Sequence, residues 1–177
     1  IQTLATRRLS VFEPVVATVG RIQAGTTNNV IPQSAELDIT LRSLSEDTRE
    51  RLASGVCGLI EQIAVAHGLQ GEAKLKRGYP PTINHAAGSG LVAAAAKALL
   101  GEEGYRLMPE PFMAAEDFSY LLQRYNGAFA FLGVAPPGTE GTAAPCHSNH
   151  MLIDEDAMAV GVAMHAAIVL TSLDGSA

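Results

Sequence analysis

The sequence predicts an α/β protein built from two units, and three features of the chain support this prediction. In the first part, two strand-like segments precede a long amphipathic helix, which is typical of a two-layer arrangement. In the second part, helical segments alternate with apolar strand-like runs. Between them lies "GYPPTINH", residues 78–85, whose prolines interrupt both helix and sheet. We therefore expect one unit at 1–79 and another at 80–177.

Composition places the chain among ordinary globular proteins, with 177 residues of which 47% are hydrophobic and 17% charged. The net charge of −6 and the absence of a basic stripe argue against nucleic-acid binding, which draws on clustered Lys and Arg. Apolar runs such as "LVAAAAKALL" are interrupted by charge before they reach the length of a membrane span. Cys57 and Cys146 lie far apart and suggest no disulfide framework. We expect a soluble, cytoplasmic protein.

The first unit is expected to combine a short helix, a strand pair and a long helix. Residues 1–10 carry a helical apolar pattern, and the β-branched run 15–25 reads as a strand that ends at a glycine and a polar turn. The next strand, within 35–44, alternates apolar and polar residues. Its apolar face is expected to pack on the helices, whereas its polar face carries Asp38, Thr40 and Arg42; the apolar face comprises Leu37, Ile39 and Leu41.

The long helix is expected to begin after Ser45, a favourable N-cap, and to end at Gly68, which suits the left-handed position after a helix. One buried stripe follows helical spacing and comprises Leu52, Val56, Leu59, Ile60 and Ile63. The segment 71–79, "GEAKLKRGY", alternates in polarity and is predicted to be a further strand.

The second unit is predicted to hold a mainly parallel sheet covered on both faces, because its helices alternate with apolar strands. The predicted elements are a helix at 89–101, a strand at 105–109, a helix at 116–125, a strand at 127–134 and a helix at 154–173.

The loop before the last helix contains "PCHSNHM", residues 145–151. Ligands of α/β proteins bind beyond the carboxyl ends of the strands, which is where this loop is expected to lie. Cys146, His147 and His150 are possible metal ligands, but a zinc site needs several ligands at defined geometry and this segment supplies no others. From these residues alone, two interpretations remain open: the histidines of this loop either bind a metal or have no functional role.

Other polar residues have structural as well as functional interpretations. Glu116 and Asp117 stand where acidic residues favour a helix start, and Asn29 lies in "GTTNNVIP", a typical turn sequence. Arg42 can bind a carboxylate through two hydrogen bonds, or form an ion pair with Asp38 or another neighbouring acidic side chain. His85 is not part of any catalytic or metal-binding pattern in the sequence. The motifs of serine hydrolases, HExxH zinc proteins and phosphate-binding loops are absent.

Read together and in order, several separated segments resemble one family. They are "VVATVGRIQAGTTNNVIPQSAELDITLRSLSEDTRERL", "GYPPTINH", "AAEDFSYLLQRYNGAFAFLGV" and "CHSNHMLIDEDAMAVGVAMHAAIVL". They resemble the metal-dependent amidohydrolase and peptidase family that includes hippurate hydrolase, aminoacylase and the indole-acetyl-amino-acid hydrolases. The resemblance covers nearly the whole chain.

This resemblance implies a catalytic domain that binds two metal ions, zinc or manganese, and a smaller inserted lid domain that forms a homodimer. Residues 1–79 resemble the lid without its first strand, as a partial two-layer α/β unit, and 80–177 resemble the C-terminal part of the α/β di-metal hydrolase domain. Most metal ligands and the general base are expected to lie in an N-terminal half that this sequence lacks. We therefore expect the chain by itself to be inactive.

The resemblance also assigns roles to particular residues. His147 matches a metal-ligating histidine, although Asn149 stands where the family commonly has proline. Asn29 and Arg42 match lid positions that bind the substrate, and Glu116 and Asp117 match a segment that supports the metal site. The implied reaction is hydrolysis of N-acyl amino acids by a water that paired metals activate. The alternatives are a non-catalytic dimerisation or binding module, and a small mononuclear zinc protein.

Overall fold

A computed structural model of the chain describes residues 1–139 and 141–174. The fold divides into two compact units. The first comprises Ile1–Thr82 together with Glu110–Ser119, and the second comprises Ile83–Pro109 together with the chain from Tyr120 onward. The division after Thr82 falls within the proline-rich stretch. The assignment of residues 1–79 and 80–177 to a lid and to a catalytic domain stays a prediction.

The two predicted strands of the first unit form an antiparallel hairpin, β1 (Val15–Ala24) and β2 (Ala35–Ser43). The register is irregular at Gly20, because Val19 lies opposite Ile39 whereas Arg21 lies opposite Asp38. An extra residue of this kind is a β-bulge, which locally increases the twist of the strands. The antiparallel pairing of β1 with β2 confirms the prediction that the two strands pair.

The helices of this unit are α1 (Gln2–Arg7) and α2 (Glu46–Ala66). As predicted, Ser45 caps α2, and its hydroxyl accepts a hydrogen bond from the Thr48 backbone N–H at 3.2 Å. The chain leaves the helix through Gly68, whose φ of +72° lies in the left-handed region that favours glycine. Both ends of α2 therefore follow from local sequence signals.

The hydrophobic core of the first unit consists of Leu4, Ala17, Leu52 and Val56, and the side chains of Ile39 and Leu41 pack against it. Arg42 is exposed, so the predicted faces of β2 are confirmed near its C-terminal end. The predicted burial of Leu37 and Ile63 is wrong, since they are 48% and 52% exposed. Leu37 lies opposite Ile22, past the bulge and toward the hairpin tip, where the flanking side chains are also exposed.

The segment 71–79 is not a strand, so that prediction is wrong. It lies along α2 instead: Arg49 donates a hydrogen bond to the Gly78 carbonyl at 2.7 Å, and Arg77 forms an ion pair with Glu50. The hydrogen bond from Arg77 holds the pKa of the Glu50 carboxyl below its ordinary value. Alternating polarity is compatible with a strand, but a strand also needs a neighbour for its backbone, and here charged side chains determine where the segment lies.

The second unit contains α3 (Ala86–Leu100), a 3₁₀ turn (Glu102–Gly104) and α5 (Ala157–Leu173), while the short α4 (Ser119–Leu122) lies at the junction of the two units' sequence ranges. The helices predicted at 89–101 and 154–173 are confirmed, whereas the one predicted at 116–125 shortens to α4. Ala95, Ala96 and Leu122 are buried. No helix in the described part of the chain is long and apolar enough to span a membrane.

The strands predicted at 105–109 and 127–134 do not form a ladder, and within the described residues the sheet consists of β1 and β2. An apolar run specifies burial, but the hydrogen-bond ladder of a strand also requires a second chain segment alongside it. The mainly parallel sheet expected in this unit is therefore absent from the described residues. Residues 127–134 run close to two helices instead: a Cβ on Gly127 would meet Leu122, and one on Gly161 of α5 would meet Leu132, each at 3.3 Å.

Candidate functional site

His147 lies in a tight turn between residues 127–134 and α5. The Ser148 N–H donates to the Pro145 carbonyl at 3.0 Å, which closes a four-residue turn. His147 has a φ of +70° and is the one non-glycine residue of the described chain with a positive φ. A positive φ at the third position alone defines a type II turn, in which glycine or asparagine is favoured. A histidine in this conformation is strained, and such strain is enriched at functional sites.

Further hydrogen bonds hold the backbone on both sides of this turn. The Met151 N–H donates to the Ser148 carbonyl at 3.1 Å, and the His150 N–H donates to the Ser148 hydroxyl at 3.1 Å. At the end of the loop, the Asp154 N–H donates to the Val134 carbonyl at 2.8 Å. His147 itself is exposed. The result is an ordered loop with an accessible imidazole.

The described residues do not by themselves form a metal site, since no group of three or more His, Cys, Asp or Glu side chains suited to a metal occurs among them. The mononuclear zinc site considered for Cys146, His147 and His150 is therefore not formed. These residues are close in sequence, but the successive turns do not bring their side chains together as a ligand set. Cys146 is a free, exposed thiol. His147 remains a candidate for one ligand of a larger site.

Arg42 connects β2 with the segment that carries the acidic pair. Its side chain is exposed, and Nη1 donates to the Met113 carbonyl at 2.6 Å. Met113 lies shortly before Glu116 and Asp117, within the stretch that packs with the first unit. A guanidinium has five N–H donors in a planar fork, and this bond uses one of them. Arg42 can therefore hold this segment and still offer donors to a carboxylate.

Glu116 caps α4. Its side chain accepts a hydrogen bond from the Phe118 N–H at 3.2 Å, and its carbonyl accepts one from the Ser119 hydroxyl at 2.6 Å. Ser119 is fully buried, so this bond satisfies an otherwise costly polar group. Asp117 is exposed. The structure thus shows a structural role for Glu116 next to the helix start, and the role of both acids in supporting a metal site stays a prediction.

Asn29 lies at the exposed tip of the β1–β2 loop. Its Oδ1 accepts a hydrogen bond from the Thr27 hydroxyl at 3.2 Å, within the same loop. The loop surrounds an open concavity lined by residues 24–32. Asn29, Arg42, Glu116 and Asp117 all belong to the first unit, whereas His147 belongs to the second. The hydrogen bond from Arg42 to the Met113 carbonyl links β2 with the segment that carries Glu116 and Asp117. Asn29 lies in the β1–β2 loop, away from both in sequence.

Asn84 and His85, to which the sequence assigned no role, hold the start of the segment 127–134. The Asn84 side chain donates to the Phe129 carbonyl at 2.9 Å and accepts from the Phe129 N–H at 2.8 Å. The His85 N–H donates to the Gly127 carbonyl at 2.9 Å, and His85 Nδ1 accepts from the Gly127 N–H at 3.3 Å. The partners are more than 40 residues apart, so no local sequence signal could reveal these contacts.

Comparisons with known proteins agree with this architecture. The chain is 29% identical over 171 residues to thermostable carboxypeptidase 1 of Saccharolobus solfataricus, covering 96% of the chain and 42% of that relative. It is 36% identical over 134 residues to N-acetyl-L-cysteine deacetylase of Bacillus subtilis, covering 75% of the chain and 31% of the relative. The chain thus spans less than half the length of these curated relatives.

A solved structure has a similar fold. It is that of a dinuclear metal-binding peptidase of the M20 family from Bacillus subtilis, with a TM-score of 0.76 and 27% sequence identity. The similarity covers 90% of this chain and 42% of that one. The model of peptidase family M20/M25/M40 matches residues 5–171. The two units described above, a hairpin packed on helices and a helical unit with the His147 turn, are thus part of a known fold, and the chain belongs to the M20/M25/M40 peptidase family.

Proposed function

We propose that the chain is part of a metal-dependent amidohydrolase that cleaves the amide bond of N-acyl amino acids. The observation that carries the proposal is the family match along residues 5–171, with relatives named as a carboxypeptidase and as an N-acetyl amino acid deacetylase. Both names denote hydrolysis of an amide bond at an amino acid that has a carboxylate. The proposed substrate therefore combines an acyl amide with a free carboxylate.

Arg42 and Asn29 are the proposed substrate-binding residues of this chain. A guanidinium recognises a carboxylate through paired, charge-assisted hydrogen bonds, and Arg42 is exposed on the polar face of β2. The amide nitrogen of Asn29 is a donor suited to the oxygen of the bond to be cleaved. The bond from Arg42 to Met113 supports this role, because it orders a side chain that otherwise loses rotamer freedom on binding.

His147 is proposed as one ligand of a divalent metal site. The left-handed backbone of His147 supports this role, because strained backbone conformations are enriched at functional sites. A divalent ion bound there, zinc or manganese, would supply Lewis-acid chemistry toward the amide carbonyl. The remaining ligands and the general base would come from parts of the protein outside this chain, which spans 42% of the carboxypeptidase relative.

The first unit is proposed to form a homodimer. A hairpin has an unpaired edge on each strand, and such edges pair with other chains unless they are covered. Side chains near its tip are also apolar and exposed, among them Ile22 at 69%, Val30 at 63% and Ile31 at 93%. We propose that pairing through residues 1–79 brings Asn29 of one protomer toward the loop that carries His147 in its partner.

Sedimentation velocity tests the dimer. Ile31→Asp places a charge at the hairpin tip and is expected to yield monomers at micromolar concentration, because burial of an unpaired charge at an interface is strongly unfavourable. Val11→Asp is the matched control, since Val11 is 82% exposed but lies before β1 and away from the tip. A wild-type protein that sediments as a monomer contradicts the dimer, and a dimeric Ile31→Asp variant contradicts the proposed surface.

The proposed function is tested by comparing the complete protein with the isolated chain on N-acetyl amino acids, N-benzoylglycine and dipeptides. The complete protein is expected to hydrolyse at least one class in the presence of zinc or manganese, and the isolated chain none. Replacing the substrate carboxylate by a carboxamide removes charge-assisted hydrogen bonds and should lower kcat/KM by about 10-fold to 100-fold.

Two results would contradict these expectations. Turnover by the isolated chain, purified free of host enzymes, would show that the catalytic groups are complete within it. A complete protein that binds N-acyl amino acids without hydrolysing them would instead favour a non-catalytic binding module.

A further inference from the structure

We propose that Asn84 is a positioning residue for His147, acting through the segment 127–134. Together with His85 it forms what we call the Asn84 clamp, defined by the four hydrogen bonds between these two residues and Gly127 and Phe129. The inference rests on the proposed metal-binding function of His147. It concerns a residue that is itself remote in sequence from the turn that carries the imidazole.

The clamp takes the place of a neighbouring strand. The amide of Asn84 has the same donor and acceptor as a peptide group, and it pairs with both the N–H and the carbonyl of Phe129. His85 does the same for Gly127 through its backbone N–H and its ring nitrogen. Gly127 and Phe129 are two residues apart, and both pair their backbone N–H and carbonyl groups with the neighbouring residues Asn84 and His85, so the clamp satisfies the backbone of the segment at two alternate positions.

The clamp is also fixed with respect to α3. That helix begins at Ala86, directly after His85, and the backbone of its first turn passes close to Gly127. A Cβ placed on Gly88 would lie 2.4 Å from the Gly127 carbonyl carbon, which leaves no room for a side chain. The start of residues 127–134 is therefore held both by hydrogen bonds and by close backbone packing against the first turn of α3. Little freedom remains for it to shift along the helix.

The position of this segment determines the position of the His147 loop, residues 141–153. Val134 ends the segment, and its carbonyl accepts the Asp154 N–H at 2.8 Å, just after the loop. The carboxylate of Asp154 in turn accepts the Asp156 N–H at 3.1 Å, directly before α5. The residue that follows the loop is thus attached to the clamped segment. A displacement at Phe129 is expected to move Val134 and Asp154 together, and with them the strained turn at His147.

The test uses Asn84→Asp in the complete protein. The substituted side chain has the same size and still accepts from the Phe129 N–H, but a carboxylate cannot donate to the Phe129 carbonyl and is repelled by it. Gln70→Glu is the matched control, because it makes the same amide-to-acid change at an exposed site of the first unit. Asn84→Ala, which introduces no charge, gives the same information if the carboxylate variant fails to fold.

Amide hydrogen exchange and zinc affinity are the measurements. In the Asn84 variants, exchange at Ser148, Met151 and Asp154 should accelerate by about tenfold or more, since their hydrogen bonds depend on the loop position. Zinc affinity should fall by about 10-fold to 100-fold, the usual effect of losing a residue that orients a metal ligand. Gln70→Glu should change neither quantity.

The inference is overturned if exchange accelerates only at Gly127 and Phe129, or if zinc affinity stays at the wild-type value while the melting temperature falls, because Asn84 would then be purely structural. If the wild-type complete protein binds no divalent ion, the metal role of His147 fails. The exchange rates of the loop amides then decide by themselves whether Asn84 positions the turn.

Discussion

Replacing His147 by glycine is expected to abolish hydrolysis by the complete protein and, at the same time, to stabilise the fold. Loss of residues that only orient a metal ligand already costs about 10-fold to 100-fold, so loss of the ligand itself should lower kcat/KM by at least about 100-fold. The backbone at this position has a φ of +70°, which glycine adopts without the strain of roughly 1 kcal/mol that other residues incur. Calorimetry of the metal-free protein, in which metal binding makes no contribution, and steady-state kinetics of the metal-loaded protein measure the two effects.

His147→Ala separates the contributions of the imidazole and the backbone. Alanine also removes the imidazole but retains the left-handed strain, so it should be as inactive as His147→Gly without gaining stability. His150→Ala is a control from the same loop, where the contact observed is made by the backbone N–H rather than by the ring. It should retain most activity. Activity of either His147 variant near the wild-type level would exclude His147 as a metal ligand.

Gly88→Ala is expected to destabilise the second unit by about 2 kcal/mol or more, in the range of overpacked interiors. Helix propensity alone predicts the opposite sign, because alanine is favoured over glycine in a helix by about 1 kcal/mol. The close backbone of Gly127 overrides that preference, since a backbone cannot rotate away as a side chain end can. The melting temperature of the protein should fall accordingly.

Gly90→Ala is the matched control in the same helix. Apart from the backbone of the helix itself and the adjacent residues, no atom lies within 4 Å of a Cβ placed at this position. The helix preference should therefore appear undiminished, and the variant should be more stable than wild type by up to about 1 kcal/mol. If both substitutions stabilise the protein, then the close contact between α3 and Gly127 is not present in solution.

The candidate site was only partly predictable from the sequence. The motifs identified the family. The resemblance also allowed site roles to be predicted for five residues, and these roles stay predictions: Asn29, Arg42, Glu116, Asp117 and His147. The left-handed conformation of His147 was not predictable, because only a small fraction of non-glycine residues adopt it and the turn is closed by backbone bonds. The bond from Arg42 to Met113 joins residues 71 positions apart, beyond the range of any local pattern.

The sequence by itself determined the elements whose signals are local. Ser45 marks the start of α2, because its side chain caps the nearest backbone N–H groups, and Gly68 marks its end, because glycine adopts the left-handed conformation without strain. The alternation in β2 determined which face meets the core, because neighbouring side chains of a strand project to opposite sides. Tertiary structure alone decided the paths of segments 71–79 and 127–134. Their patterns are compatible with strands, but a ladder requires a partner, and Arg77 and Asn84 supply other contacts instead.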